Sequence, residues 1–243
     1  MPARLPSVAT VTCRLHALCL DAREPDRLAE FWGSLLGWRP ADDERGALAL
    51  EPADDTGFRL RFVASAEPKT LQNLMHFDLT STSLDDQATT VARVLELGGR
   101  HCDVGQGPDD DHVVLADPEG NEMCVIEPWN NFLADCGFIG AVSSDGSAQV
   151  GHFWSEALGW PLVWDQDGET AVQSPRGGTK VSWGGPPVAV KRTRNRQRFD
   201  LVATEPDTDL ARLVDLGASR LADVDGGVEL ADPDGNEFLV TPG

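Results

Sequence analysis

The chain holds 243 residues, with 40 Asp and Glu against 20 Lys and Arg, giving a formal charge of -20. That length suits one large domain or two small ones, and a content of 41% hydrophobic and 25% charged residues argues against a disordered chain. The acid excess repels phosphate, which argues against nucleic acid and anionic membrane as partners.

No apolar run approaches the roughly 20 residues that a membrane helix needs. The start, Met1-Pro-Ala-Arg-Leu-Pro6, lacks the pattern of a secretory leader. Cys13, Cys19, Cys102, Cys124 and Cys136 show no CxxC spacing and read as free thiols of a reducing compartment. A cytoplasmic monomer or homodimer is expected. Tyr is absent, so any step needing a phenol as acid or base must find another group.

Residues 14–21 read as a first strand. Pro25-Asp26 opens a helix with Leu28, Phe31, Trp32, Leu35 and Leu36 at helical spacing, and Gly37 ends it. Strands near 47–51 and 57–64 follow. The pattern then restarts with a strand at 74–80, a helix over 84–97, and strands near 100–104, 111–116 and 121–127. Asp117-Pro-Glu-Gly120 is turn chemistry joining the last two as a hairpin.

The second half repeats the first. Phe31-Trp32-Gly-Ser-Leu-Leu-Gly37-Trp38 returns as Phe153-Trp154-Ser-Glu-Ala-Leu-Gly159-Trp160, and Phe77-Asp78-Leu79 returns as Phe199-Asp200-Leu201. Leu115-Ala-Asp-Pro-Glu-Gly-Asn-Glu122 returns as Leu230-Ala-Asp-Pro-Asp-Gly-Asn-Glu237. Order is kept throughout, as duplication would leave it. Two copies spanning 12–128 and 136–243 are expected, each made of two smaller units.

The βαβββ order, with FWxxxLGW on its first helix and DPxGNE in its last hairpin, resembles the vicinal oxygen chelate superfamily. Glu67-Pro-Lys-Thr70 before a strand carrying His76-Phe-Asp-Leu79 is similar to its glyoxalase-like domains. The resemblance implies an α+β fold: four βαβββ modules forming two glyoxalase/bleomycin-resistance-like domains with curved mixed sheets. It also implies a small-molecule site between paired modules, often around a divalent metal. The fold hosts isomerases, dioxygenases, thiol transferases and metal-free drug-binding proteins, so the resemblance leaves the chemistry open.

The family takes one His from the first strand of each paired module, and His16 and His76 fall on those positions of the first copy. The family glutamate position is held by Cys124, and Glu127, three positions on, is the alternative third ligand. A strand's two-residue alternation places Glu127 on the opposite face unless the strand bulges. His16, His76 and Cys124 would suit a soft metal, with Zn, Fe, Mn or Ni the divalent candidates and no nucleotide cofactor expected. The plainer alternative is that Cys124 is a small buried hydrophobe and the histidines line a pocket.

In the second copy Phe138 aligns with His16, Arg198 with His76 and Leu239 with Cys124, so no ligand set remains. Phe138 and Leu239 become candidate pocket walls. Arg198 closes Lys191-Arg-Thr-Arg-Asn-Arg-Gln-Arg198, five basic residues in eight, which would attract an anionic substrate or else be a solvated loop. Asp78 is a candidate general base, although its recurrence as Asp200 points to a shared structural bond. His112 is a candidate substrate contact, with a surface imidazole beside Asp109-Asp-Asp111 as the plainer reading. Two functions follow as expectations: a lyase- or isomerase-type enzyme with a metal in the first copy, or a metal-free protein that sequesters a drug or metabolite.

Overall fold

In a computed structural model the described residues are 13–43, 45–107 and 110–243. The start of the first copy at residue 12, the Met1–Pro6 stretch and Asp109 lie outside them.

Four βαβββ modules follow one another. The first holds β1 (Cys13–Ala22), α1 (Pro25–Leu36), β2 (Arg39–Ala41), β3 (Leu48–Glu51) and β4 (Arg59–Ala64). The second holds β5 (Met75–Leu79), α2 (Leu84–Glu96), β6 (Arg100–His101), β7 (Val113–Ala116) and β8 (Glu122–Val125). The third holds β9 (Ile139–Ser144), α3 (Ala148–Leu158), β10 (Leu162–Gln166), β11 (Glu169–Gln173) and β12 (Lys180–Trp183). The fourth holds β13 (Gln197–Ala203), α4 (Pro206–Asp215), β14 (Ser219–Val224), β15 (Gly227–Ala231) and β16 (Glu237–Pro242).

Local chemistry explains the helix ends. Pro stands in the first turn of α1, where its missing N–H costs nothing. Gly37 then takes the left-handed conformation at φ 69°, which ends the helix without a Cβ clash. Leu28, Phe31 and Trp32 are the buried face of α1, as their spacing requires.

Pairing of the modules is not sequential. One eight-stranded sheet runs β14-β15-β16-β13-β1-β4-β3-β2, and the other runs β10-β11-β12-β9-β5-β8-β7-β6. The first module therefore shares a sheet with the fourth, and the second with the third. Antiparallel pairs β1–β13 and β5–β9 form the two centres. In each sheet the apolar side chains of these central strands face one continuous core, with Leu18, Leu20, Phe77, Phe199 and Leu201 all buried. The alternate side chains face a concave surface. There are thus two cups, each built from both halves of the chain.

Among the described residues no helix is long and apolar enough to cross a membrane.

Candidate functional site

The first cup, centred on β1 and β13, is filled by charge. Arg61 of β4 donates to Asp43 at 2.7 and 2.9 Å and to Asp200 of β13 at 2.7 Å. Arg45 reaches over to the same Asp200 oxygen at 2.5 Å. Arg198 grips both oxygens of Asp21 at 2.7 and 2.8 Å. His16 has Arg14 at 3.2 Å, and burial together with the Arg59 and Arg14 charges lowers its pKa. Guanidinium groups packed at this depth oppose a bound cation. This cup does not fit a metal.

The second cup, centred on β5 and β9, opens into a cleft of about 1330 Å³. Two loops wall it, 65–74 and 184–196, and the two are held alike. Lys69 donates to Glu122 at 2.5 Å, while Asn73 donates its backbone N–H to Glu122 and its amide to Asn121. Lys191, Asn195, Asn236 and Glu237 repeat that clamp on the other loop. The Asn-Glu ending of each DPxGNE motif therefore fixes a cleft wall. From the linker after β8, Phe132 packs edge-on against Trp164 of β10, with ring centroids 6.1 Å apart. Lys180 of β12 lies over the other ring, Phe132, at 4.7 Å.

On the floor of this cup His76, Asp78 and Cys124 bring one nitrogen, oxygen and sulfur donor within 4.8 Å of one another. Strand alternation puts His76 and Asp78 on the same face of β5, and Cys124 pairs with Asp78 across β8. His76 Nε2 lies 3.4 Å from Asp78 Oδ1. The other Asp78 oxygen accepts from Ser143 Oγ at 2.5 Å, and Ser143 lies 3.1 Å from Ser182 Oγ. Burial by itself lowers the His76 pKa, but the Asp78 and Cys124 bonds and charges outweigh it and lift the group to about 10. Burial pushes the Cys124 thiol up, against the pull of His76. The mixed donor set suits an ion of the zinc class, so these residues fit a metal where the first cup does not.

The sequence-derived candidates divide between the cups. His16 lies in the first sheet and His76 in the second, so the expected His16, His76 and Cys124 set is not assembled, and Asp78 stands where His16 was expected. Glu127 follows the end of β8, in the linker, where it accepts from Asn130 at 3.0 Å; it is not the third ligand.

Arg198 is on the cleft wall, but its fork is occupied by Asp21. Lys191, Arg194 and Arg196 are likewise engaged, by Glu237, Glu229 and Glu119. The basic run is therefore mostly structural.

Phe138 precedes β9 and packs against the core instead of lining the cleft. The alignment slips there: Ala17 pairs with Asp200 and Ala141 with Asp78, so His16 corresponds to the bulge beside β9 and not to Phe138. Leu239, on β16 beside Asp200, belongs to the first cup. His112 sits half-buried just before β7, outside the cleft lining. Sequence reasoning missed Ser143, Ser182 and Trp164, which carry no motif and come to share the cleft with His76 only through strand pairing.

A profile of the glyoxalase-like domain matches residues 17–126 and 141–241. The chain belongs to the glyoxalase-like domain family. Glyoxalase I from Zea mays superposes with a TM-score of 0.63 at 13% identity, covering 95% of this chain and 92% of that one. A Bacillus subtilis protein with a provisional dioxygenase designation superposes with a TM-score of 0.56 at 12% identity, covering 96% of this chain and 86% of that one. At such identities the likeness is one of fold, and this glyoxalase-like chain has no match among curated proteins.

Proposed function

We propose that this glyoxalase-like protein is an enzyme of the lyase or isomerase type acting on a small molecule in the second cup. In this reading His76, Asp78 and Cys124 hold a divalent metal. The observation that carries the proposal is the convergence of three unlike donors within 4.8 Å of one another, with His76 among them on the cleft wall. Such an ion, when bound, supplies Lewis-acid polarisation of a substrate oxygen.

The chain's own groups do the rest. Ser143 orients the Asp78 carboxylate, and Ser182 supports Ser143. His76 is the cluster's member on the cleft wall and meets the substrate side. The loops clamped by Glu122 and Glu237 hold the two cleft walls in place.

The test is zinc content after purification without chelator or tag. About one equivalent is expected in the parent, lost in both His76→Ala and Cys124→Ser and kept in His16→Ala. Trace zinc in the parent, or retention in both of the first two variants, overturns the metal reading.

A second reading is a metal-free protein that sequesters its ligand. The continuous His76–Asp78–Ser143–Ser182 chain favours it, because these groups already satisfy one another without an ion.

A further inference from the structure

Strand register in the second sheet lines up one row of concave side chains. His76 pairs with Ser143, Ser143 with Ser182, Ser182 with Ala171, and Ala171 with Trp164. The row crosses five adjacent strands, β5, β9, β12, β11 and β10. Four strand spacings separate its ends, about 19 Å measured along the sheet. Only small side chains lie between: two hydroxyls within hydrogen-bond distance of each other, and an alanine. Both ends stand up into the cleft, His76 at the reactive cluster and Trp164, 38% exposed, backed by the edge of Phe132.

The next row along the same strands differs. There Cys124, Asp78, Ala141 and Lys180 follow one another, and the linker residues Phe132 and Leu133 cover that side. Of the first row, His76, Ser143, Ser182 and Trp164 line the cleft, while Ala171 is 1% exposed and does not.

We propose that the ligand of this cup is an elongated molecule of at least two aromatic rings lying across the strands. Its oxygen-bearing end meets His76 and the hydroxyls, and its far ring stacks on Trp164. This assignment rests on the second cup being the working site. A three-carbon oxo compound would touch the cluster alone and leave the aromatic end of the trough unused. A flat ring system fits a floor of small side chains, and aromatic contact at the far end adds affinity that a short ligand cannot collect. Leu71 and Val190, exposed on the two clamped loops, extend the apolar wall on the cleft side.

Calorimetry with acetate, benzoate and biphenyl-4-carboxylate on the full chain tests the assignment, with zinc content measured on the same samples. Biphenyl-4-carboxylate should bind at least tenfold more tightly than benzoate. Trp164→Ala should weaken the two-ring probe about tenfold and leave benzoate unchanged. Ser182→Phe, which fills the middle of the row, should abolish two-ring binding, while Ser182→Ala, which removes a hydroxyl but no space, should weaken benzoate and the two-ring probe by the same factor. Equal affinity for benzoate and the two-ring probe, or an equal loss of both in Trp164→Ala, overturns the proposal. If the length dependence and its Trp164 requirement hold in protein without zinc, the trough assignment stands and the metal reading falls. Stoichiometric zinc with no length dependence does the reverse.

Discussion

Trp32 donates its indole N–H to the carboxylate of Asp117 at 3.2 Å, joining the first module's helix to the second module's last hairpin. Trp154 and Asp232 make the same bond at 3.3 Å between the third and fourth modules. Each FW motif and each DPxGNE motif are therefore two halves of one contact. Asp117 also accepts the backbone N–H groups of Glu119 and Asn121 and the Asn121 amide, so it holds its own turn while receiving the helix.

Trp32→Phe keeps most of the ring packing against Phe31 and Phe77 but leaves a buried oxygen one donor short. The expected cost is about 1.5–3 kcal/mol in urea unfolding, the range for one hydrogen bond to a charged group, because that oxygen keeps the Asn121 amide. Trp154→Phe should cost a similar amount. No loss in either variant would show that ring packing alone holds the helix.

Stability should also depend on pH through Asp117. Burial raises its carboxyl from 3.8 to about 6, against the pull of Asn121 and Trp32. Because the folded value lies above the unfolded one, the stabilising effect of its proton is full below pH 3.8 and is lost as pH rises through 6. Asp117→Asn lacks that titration. Between pH 5 and pH 8 the parent should therefore lose about 1.4 kcal/mol relative to the variant. A stability difference between the two that stays constant over this range would contradict it.

Arg61 is 4% exposed and holds two acids, Asp43 and Asp200. Arg61→Met preserves bulk but leaves both carboxylates without their shared cation, and should cost about 3–5 kcal/mol in chemical unfolding. Arg45→Met should cost less, since the Arg45 side chain is 26% exposed and Asp200 keeps Arg61. Equal costs would mean that Arg45 seals the first cup as much as Arg61 does, against this expectation.

The sequence by itself determined the modules. The recurrence of FWxxxLGW and DPxGNE set four βαβββ units, and helix limits at Pro25 and Gly37 followed from local backbone chemistry. His76 and Cys124 were legible as partners because they lie in one module, on strands whose alternation puts both on one face. The short β2 and the slip between β1 and β9 were not legible, since each depends on a neighbouring strand.

Only the tertiary structure decided which modules share a sheet. Pairing of β1 with β13 brings together residues more than 170 positions apart, such as Cys19 and Arg198, and nothing in either segment's pattern names its partner. That choice sends His16 into a cup closed by arginines and leaves His76 in an open one. The length that first suggested two small domains gave two repeats, but each concave site draws on both.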